Sequence, residues 1–111
     1  GFNMDRKPDN KTIKLLKDHL NYLNKMFSPA KIILFGSRAR GDHLETSDID
    51  LIVISEKFKN IDFRERIIKA YGRWDKKQGL DILGYTKEEF NKKKKQMGIV
   101  NQADKEGLIL Q

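Results

Sequence analysis

Two short apolar runs, separated by a polar stretch, constrain the fold of this chain more than any other feature. Lys31–Phe35 is rich in isoleucine and predicts a first strand, which ends directly at a Gly-Ser pair at residues 36 and 37. Ten residues later an Asp-Ile-Asp motif at 48–50 opens a second apolar run that ends at Ile54. Aspartate is depleted in strands, so an acid inside this run requires a partner or a chemical task.

The carboxylates of Asp48 and Asp50 are expected to point the same way, because alternate residues of a strand share a face. Two carboxylates this close repel each other unless a cation lies between them, and an all-oxygen donor set suits Mg²⁺. Gly36 would let phosphate oxygens approach the backbone N–H groups. The turn and the acids together indicate a nucleoside triphosphate bound with Mg²⁺. Taken alone, Gly36-Ser37 is equally explained as an ordinary strand-to-helix turn capped by the serine.

These motifs, with their spacing and flanking strands, resemble the signature of the polymerase-beta-like nucleotidyltransferase superfamily. The Gly-Ser-Arg-Ala-Arg-Gly form and the short chain are most similar to the minimal nucleotidyltransferases, over roughly Asn10 to Leu110. The resemblance implies an α+β fold: a small mixed β-sheet with helices packed on it, in the order helix, strand, short helix, strand, helix, strand, helix. It predicts one nucleotidyltransferase domain over residues 1–111. Residues 1–8 are predicted to be an unstructured lead, with Gly1-Phe2-Asn3 added for expression and Met4 as the native start.

The resemblance also implies a metal site. Asp48 and Asp50 are expected to hold one or two Mg²⁺ ions, and Asp81 to complete the site from a third strand predicted at residues 80–83. Asp81 is further expected to help deprotonate the acceptor hydroxyl. An acid inside this short apolar run is the same anomaly as Asp50. The alternative for Asp81 is a solvent-facing acid on an edge strand.

Four residues of the turn are expected to bind the nucleotide. Gly36 and Ser37 would hold the β- and γ-phosphates, and Ser37 could instead cap the short helix predicted at residues 38–40. Arg38 or Arg40 would neutralise charge on the departing pyrophosphate. The sequence does not distinguish the two arginines, and the alternative for both is a solvated surface position.

The activity implied by the resemblance is transfer of AMP from ATP to a tyrosine of a HEPN-domain toxin, for which this chain would be the antitoxin. Two alternatives remain open: a non-catalytic antitoxin that acts by contact, and a small-molecule nucleotidyltransferase, for which the chain is short. The presence of all three acids and of the Gly-Ser pair favours the enzyme. Partner contacts are expected at Leu108, Ile109 and Leu110 and on exposed parts of a helix carrying Trp74. A homo-oligomer is also open.

Composition narrows these possibilities. With 111 residues and 38% hydrophobic content, the chain predicts one core, and the absence of cysteine excludes disulfides and thiolate zinc sites. We see no signal peptide and no apolar run approaching the ~20 residues of a membrane helix, which fits a cytoplasmic protein without membrane contact. The net charge of +7 would attract an anionic nucleotide. Aromatic residues do not interleave with the lysines, so direct nucleic acid binding is not favoured.

Helical periodicity predicts the remaining elements. A first helix, capped by Asp9 or Asn10, should run to Phe27 and stop at Ser28-Pro29, with His19 as a surface or boundary residue. A second, opened by Asp62 and ended by Gly79, should bury an apolar stripe and leave Arg66 on its polar side. That stripe consists of Phe63, Ile67, Ala70 and Trp74. A capping box at Thr86 should open a third helix that Gly98 breaks, before a short helix at 99–105. Layers should cover both faces of the sheet.

Overall fold

The computed structural model describes residues 7–111, which contain a four-stranded mixed sheet. The strands, in chain order β1 to β4, are Lys31–Phe35, Ile49–Ile54, Leu80–Tyr85 and Leu108–Ile109. Their spatial order is β3-β2-β1-β4, with β1 antiparallel to both β2 and β4, and β2 parallel to β3. The predicted α+β class with a small mixed sheet is confirmed. The expectations for residues 1–6 lie outside the described residues, and residues 7–9 belong to no helix or strand.

Five helices pack around this sheet in the described part of the chain. In chain order, α1 to α5 are Asn10–Phe27, Ser37–Arg40, Phe63–Tyr71, Lys87–Lys93 and Ile99–Glu106. A 3-10 turn at Glu56–Phe58 follows β2. The element order agrees with the prediction, including the short helix expected at residues 99–105, which is α5, and the two-residue β4 follows it. None of these helices is both long enough and apolar enough to cross a membrane.

Both faces of the sheet are covered, as predicted. Alternate residues of β1 and β2, such as Leu34 and Leu51, pack with α1 and α3 into one buried cluster. The intervening residues, such as Ile33 and Ile52, pack against Phe90, which lies on α4, and against α5. The alternation follows from the two-residue period of a strand. The side chains of Asp50 and Asp81 lie on the same face of the sheet as Ile52. They therefore stand at the start of the face that α4 and α5 cover further along the strands.

The helix α1 begins and ends where the sequence predicts. Asp9 accepts a hydrogen bond from the Thr12 backbone N–H at 3.3 Å, and Ser28 is the C-cap. His19 is more buried than predicted: it is only 7% exposed, and its Nε2 lies 2.8 Å from the Ala70 carbonyl oxygen. Burial lowers the pKa of His19, opposed by this backbone hydrogen bond. His19 therefore joins α1 to α3.

The predicted apolar stripe of α3 is confirmed at Ala70 and wrong at Phe63 and Ile67, and Arg66 does not lie on the polar side. Arg66 and Ala70 are the buried residues of this helix, whereas Phe63 and Ile67 are exposed by more than a third. The helix ends at Tyr71, well before Gly79, because Gly72 departs from helical geometry at φ 58°. Trp74 therefore lies beyond the helix, half-buried, with its indole N–H donated to the Gln78 carbonyl.

Arg66 can be buried because its guanidinium forms four hydrogen bonds with neighbouring segments. It donates to the carbonyl oxygens of Ile61 and Gly84, and two nitrogens donate to the two oxygens of Glu89, at 2.6 and 3.1 Å. Glu89 also closes the predicted capping box with Thr86 at the start of α4. The Arg66 guanidinium beside Glu89 holds the pKa of that carboxyl at about 2. The ion pair of Arg66 with Glu89 thus links α3 to α4, and the hydrogen bond from Arg66 to Gly84 links α3 to β3.

Two further expectations need correction. The helix predicted to open at Thr86 and to be broken by Gly98 ends earlier, at Lys93, whereas the separate short helix predicted at residues 99–105 is present as α5. Leu108, expected as a partner contact, is only 3% exposed and belongs to the core, since β4 pairs it with Leu34 of β1. Ile109 is exposed, as that expectation requires.

Candidate active site

The strand register brings two of the predicted acids together. The parallel pairing of β2 with β3 places Asp50 directly opposite Asp81, and the antiparallel pairing of β1 with β2 places Phe35 opposite Asp50. The end of β1, where Gly36 follows, therefore lies beside the beginning of β2, which in turn lies beside the beginning of β3. Directly paired residues on neighbouring strands have Cβ atoms about 5 Å apart, so the two carboxylates face one another at this edge of the sheet.

Gly36 is fixed in the site by its backbone and by its neighbour. It adopts φ 74°, a conformation that favours glycine, and its carbonyl accepts hydrogen bonds from the N–H groups of Ala39 and Arg40. A Cβ on Gly36 would overlap the Asp50 carboxylate. The turn and the acid, read separately from the sequence, are thus in direct contact.

Ser37 is the first residue of α2 rather than its cap, which is Gly36. No side-chain hydrogen bond caps this short helix. Ser37 is half-buried at the start of α2 and directly follows Gly36, which lies against Asp50. Of the two roles considered for its hydroxyl, the structure leaves the contact with a ligand and excludes the cap.

Asp50 is the electrostatic centre of the site. Burial raises its pKa to about 6, and the charge of Asp81 and a hydrogen bond with it, together with the charge of Asp48, act in the same direction. The nearby positive charge of Arg40 opposes this rise only in part. Asp50 therefore binds a proton more tightly than an isolated aspartate does, because burial and the neighbouring like charges both disfavour its ionised form.

Asp48 lies immediately before β2 rather than inside it, since the strand begins at Ile49. The Ile49 N–H donates to the Gly79 carbonyl at 2.8 Å, which places Asp48 beside Gly79. A Cβ on Gly79 would lie 2.6 Å from Asp48 Oδ1. Helical periodicity indicates Gly79 only as the end of a helix. A glycine directly before a strand that carries an acid at its second position is the signal that could have placed it in the site.

The three acids fit Mg²⁺ in donor type, because carboxylate oxygens are its preferred protein ligands and a cation would relieve the repulsion that raises the pKa of Asp50. Within residues 7–111, no group of three or more His, Cys, Asp or Glu side chains is arranged closely enough to hold a metal ion as placed. Asp50 and Asp81 are paired across β2 and β3 and share a hydrogen bond, while Asp48 lies beside Gly79 and its charge helps to raise the pKa of Asp50.

Arg38 is buried and is occupied by contacts within the protein. Its guanidinium donates to the carbonyl oxygens of Ser47 and Glu45 and, at 2.9 Å, to the Thr12 hydroxyl. These bonds attach the connection that leads to Asp48 to α2 and to the start of α1. The solvated surface position considered as an alternative is excluded for Arg38, because its exposure is 3%.

Arg40 occupies a different position. It is exposed, forms ion pairs with Asp42 at 3.2 Å and Glu106 at 3.6 Å, and is the arginine whose charge lowers the pKa of Asp50. Its side chain can exchange these exposed partners for a ligand at small cost, because surface ion pairs contribute about 0–1 kcal/mol. Arg40 is therefore the arginine of the turn that is free to meet a departing anion.

A mixed sheet in which a Gly-Ser turn lies against Asp50, itself paired with Asp81 on the neighbouring strand, is the arrangement expected of the class of α+β nucleotidyltransferases. The chain belongs to the nucleotidyltransferase domain family, whose model matches residues 16–106. In the same class, a crystal structure titled "putative nucleotidyltransferase from Sulfolobus solfataricus" superposes with a TM-score of 0.65 over 96% of this chain and 90% of that one. The two sequences are 23% identical, so this likeness establishes the fold.

Two proteins of Methanocaldococcus jannaschii are similar in sequence. "Putative protein adenylyltransferase MJ0141" is 37% identical over 69 residues, which are 62% of this chain and 59% of that protein. "Putative protein adenylyltransferase MJ0604" is 37% identical over 84 residues, which are 72% of this chain and 79% of that protein. The matched segment thus spans about three fifths of the first relative and about four fifths of the second.

Proposed function

We propose that this nucleotidyltransferase is a Mg²⁺-dependent protein adenylyltransferase, which moves AMP from ATP to a tyrosine of a HEPN-type toxin and so acts as its antitoxin. The observation that carries the proposal is the pairing of Asp50 with Asp81 beside Gly36. The names of the two M. jannaschii relatives support protein adenylylation as the reaction class.

In this reaction the acceptor oxygen forms a bond to the α-phosphorus while the bond to the bridging oxygen of the β-phosphate breaks, and pyrophosphate leaves. Asp48, Asp50 and Asp81 would hold Mg²⁺, which when bound supplies positive charge at the reacting phosphate. The hydroxyl proton of the acceptor passes to the Asp81 carboxylate, which is exposed on an edge strand of the sheet. An acid in that place is reachable by a group presented by another protein.

The Gly-Ser turn binds the other end of the triphosphate. The Gly36 backbone and the Ser37 hydroxyl contact the β- and γ-phosphates, in the part of the turn that a side chain at residue 36 would block. Arg40 leaves its exposed ion pairs to neutralise the pyrophosphate. Arg38 keeps the connection to Asp48 in place and takes no part in charge neutralisation, because its N–H groups are already bonded.

The partner surface we propose is the exposed side of α3. Phe63, Ile67, Ile68 and Tyr71 are each exposed by more than a third, and Ile68 by 62%. They are exposed because the buried face of α3 is formed by Arg66 and Ala70. A short helix with four exposed large apolar side chains is typical of a protein contact.

The test is transfer to a partner. The purified chain is incubated with Mg²⁺, each α-labelled nucleoside triphosphate and the product of the adjacent gene, and the partner is then analysed by mass spectrometry. We expect one or more adenylates on tyrosine with the unaltered chain, none with Asp50→Asn, and full transfer with Asp75→Asn, an exposed acid outside the site. A partner that Asp50→Asn silences without modification would show a binding antitoxin and refute the enzymatic proposal.

A further inference from the structure

The connection between α3 and β3 ends directly against Asp48. It runs from Gly72 to Gly79, and β3 follows with Asp81 as its second residue. The Gly79 carbonyl accepts a hydrogen bond from the Ile49 N–H at 2.8 Å, and a Cβ on Gly79 would lie 2.6 Å from Asp48 Oδ1. The position of the Gly79 backbone therefore sets the space that the Asp48 carboxylate can occupy.

Few hydrogen bonds hold this connection in place. Residues 75–77 are exposed and form none with the rest of the chain that the structure describes. The bond that closes the segment is donated by the Trp74 indole N–H to the Gln78 carbonyl, at 2.7 Å. Gln78 directly precedes Gly79, so this bond fixes the backbone one residue before the contact with Asp48.

Trp74 is itself anchored to two helices. Its backbone N–H donates to the carbonyl of Tyr71, the last residue of α3, at 3.2 Å. Its ring meets the ring of His19 edge-on, with the centroids 5.5 Å apart. His19 is buried on α1, and its Nε2 lies 2.8 Å from the Ala70 carbonyl oxygen. The indole is thus placed by α1 and α3, and its N–H relates the position of Gln78 to both helices.

Gln78 also contacts the other segment that leads to Asp48. Its side-chain amide donates to the Glu45 carbonyl at 3.3 Å. The same carbonyl accepts a hydrogen bond from the Arg38 guanidinium at 2.8 Å. The connection between α2 and β2 and the connection between α3 and β3 therefore meet at this one carbonyl, and Asp48 lies where both of them end.

We propose that Trp74 is a positioning residue for Asp48, whose indole N–H acts through Gln78 and Gly79. Without this N–H the segment 74–78 opens more often, and the Gly79 backbone no longer holds the Asp48 carboxylate in one place. One hydrogen bond of this kind shifts a local equilibrium by roughly twofold to tenfold. The role of Asp48 as a metal ligand is taken from the proposed function, whereas its contact with Gly79 can be tested without metal, nucleotide or partner.

Hydrogen exchange of two backbone amides, followed by NMR in the metal-free chain, measures this effect. The Ile49 N–H bonds to the Gly79 carbonyl at one end of β2. The Ser55 N–H bonds to the Tyr85 carbonyl, at 2.9 Å, just beyond the other end and serves as the internal reference. We expect Trp74→Phe to accelerate exchange of the Ile49 N–H about fivefold relative to the Ser55 N–H, because only the first depends on Gly79.

Tyr22→Phe is the matched control. The Tyr22 hydroxyl donates to the Lys69 carbonyl at 2.6 Å, and its ring also lies beside His19, with the centroids 5.3 Å apart. The variant therefore deletes one hydrogen bond to a backbone carbonyl and keeps an aromatic ring, but it lies outside the path to Gly79. Exchange of the Ile49 N–H relative to the reference should be unchanged in Tyr22→Phe.

A second replacement isolates the N–H, because phenylalanine is also smaller than tryptophan. Trp74 is the only tryptophan of the chain. Expression in a tryptophan auxotroph supplied with β-(3-benzothienyl)alanine therefore exchanges this one N–H for sulphur and keeps the bicyclic ring. We expect the same acceleration of Ile49 N–H exchange, about fivefold, as in Trp74→Phe.

Metal affinity extends the test to the reaction. Mn²⁺, as a probe for Mg²⁺, is titrated into the chain without nucleotide, and the free ion is followed by electron paramagnetic resonance. We expect both Trp74 variants to bind Mn²⁺ about fivefold more weakly and Tyr22→Phe to bind it as the unaltered chain does. With ATP and the partner present, the Mg²⁺ concentration for half-maximal transfer should rise in the Trp74 variants, and saturating Mg²⁺ should restore kcat.

Two results would overturn the proposal. The first is unchanged exchange of the Ile49 N–H, relative to the Ser55 N–H, in both Trp74 variants. The second is faster exchange with unchanged Mn²⁺ affinity, while Asp48→Asn weakens Mn²⁺ binding. A chain that binds no Mn²⁺, or binds it unchanged in Asp48→Asn, refutes the metal role given to Asp48 in the proposed function instead. The exchange rates then decide alone whether Trp74 fixes the backbone beside Asp48.

Discussion

Replacing Asp50 with asparagine should make the metal-free protein more stable at neutral pH, although it removes a proposed catalytic acid. The carboxylate is half-buried beside Asp81, and its pKa is raised from 3.8 to about 6. A carboxyl whose pKa is higher in the folded than in the unfolded state opposes folding once it ionises. Asparagine keeps the shape and never ionises.

The magnitude follows from this pKa. A rise of about two units, at 1.36 kcal/mol per unit, sets a ceiling of about 3 kcal/mol on the stabilisation. Partial exposure screens the repulsion, so we expect about 1–2 kcal/mol, or roughly 4–8 °C in Tm for a domain of this size. Well below its unfolded-state pKa of 3.8 the carboxyl is protonated in both states and the gain is absent. The gain should grow between pH 4 and pH 6 and be complete above that.

Thermal unfolding followed by circular dichroism in EDTA, from pH 3.5 to pH 8, measures this effect. Asp75→Asn is the control, because it removes the same charge from an exposed position outside the site. If Mg²⁺ binds the acids, it should raise the Tm of the unaltered chain and leave Asp50→Asn unchanged. A variant that is less stable than the unaltered chain at pH 7.5, or equally stable at every pH, would refute the electrostatic reasoning.

Three further predictions concern the turn and the ion pair. Gly36→Ala should lower nucleotide binding at least tenfold in isothermal titration, because its Cβ would displace the Asp50 carboxylate. The control is Gly41→Ala, at φ 86° with open space around it, which should lose stability but not nucleotide binding. Arg40→Gln should reduce transfer with unchanged Tm. Arg38→Gln should lower stability by about 2 kcal/mol in urea unfolding, because it leaves buried acceptors unpaired. Equal effects of the two variants would contradict the different roles assigned to the two arginines. The pKa of Glu89 is lowered to about 2, so its ionised form stabilises the fold and Glu89→Gln should be less stable than the unaltered chain above pH 4.5. As the pH falls from 4.5 to 2, the unaltered chain should lose more stability than the variant. Unfolding measured across this pH range tests both expectations.

The strands and the end of the first helix could be predicted from the sequence because their signals are local. Lys31–Phe35 and Ile54 are bounded by turn residues, and Ser28-Pro29 stops α1 within one residue of the predicted position. The pairing of Asp50 with Asp81 could be anticipated only through the family resemblance. Nothing local sets the register of two parallel strands, which depends on how the α3 crossover packs.

The incorrect predictions concern residues whose environment is set by contacts distant in the sequence. Periodicity counted Arg66 as a surface residue because it cannot detect Glu89, 23 positions away, which makes the burial of a guanidinium tolerable. For the same reason, the sequence could not distinguish Arg38 from Arg40. Their environments differ because Thr12 and the 44–47 loop accept hydrogen bonds from Arg38 and not from Arg40. Long-range polar contacts leave no trace in a hydrophobic pattern.

Each of two proposed catalytic acids lies against a glycine: Asp50 against Gly36 and Asp48 against Gly79. This pairing has an evolutionary consequence. A descendant that lost its acids would no longer need empty space at either glycine, so drift could fill both positions with larger residues. In relatives of this chain, a side chain at residue 36 or 79 should therefore mark lineages that have abandoned the chemistry, including those in which an aspartate still stands nearby.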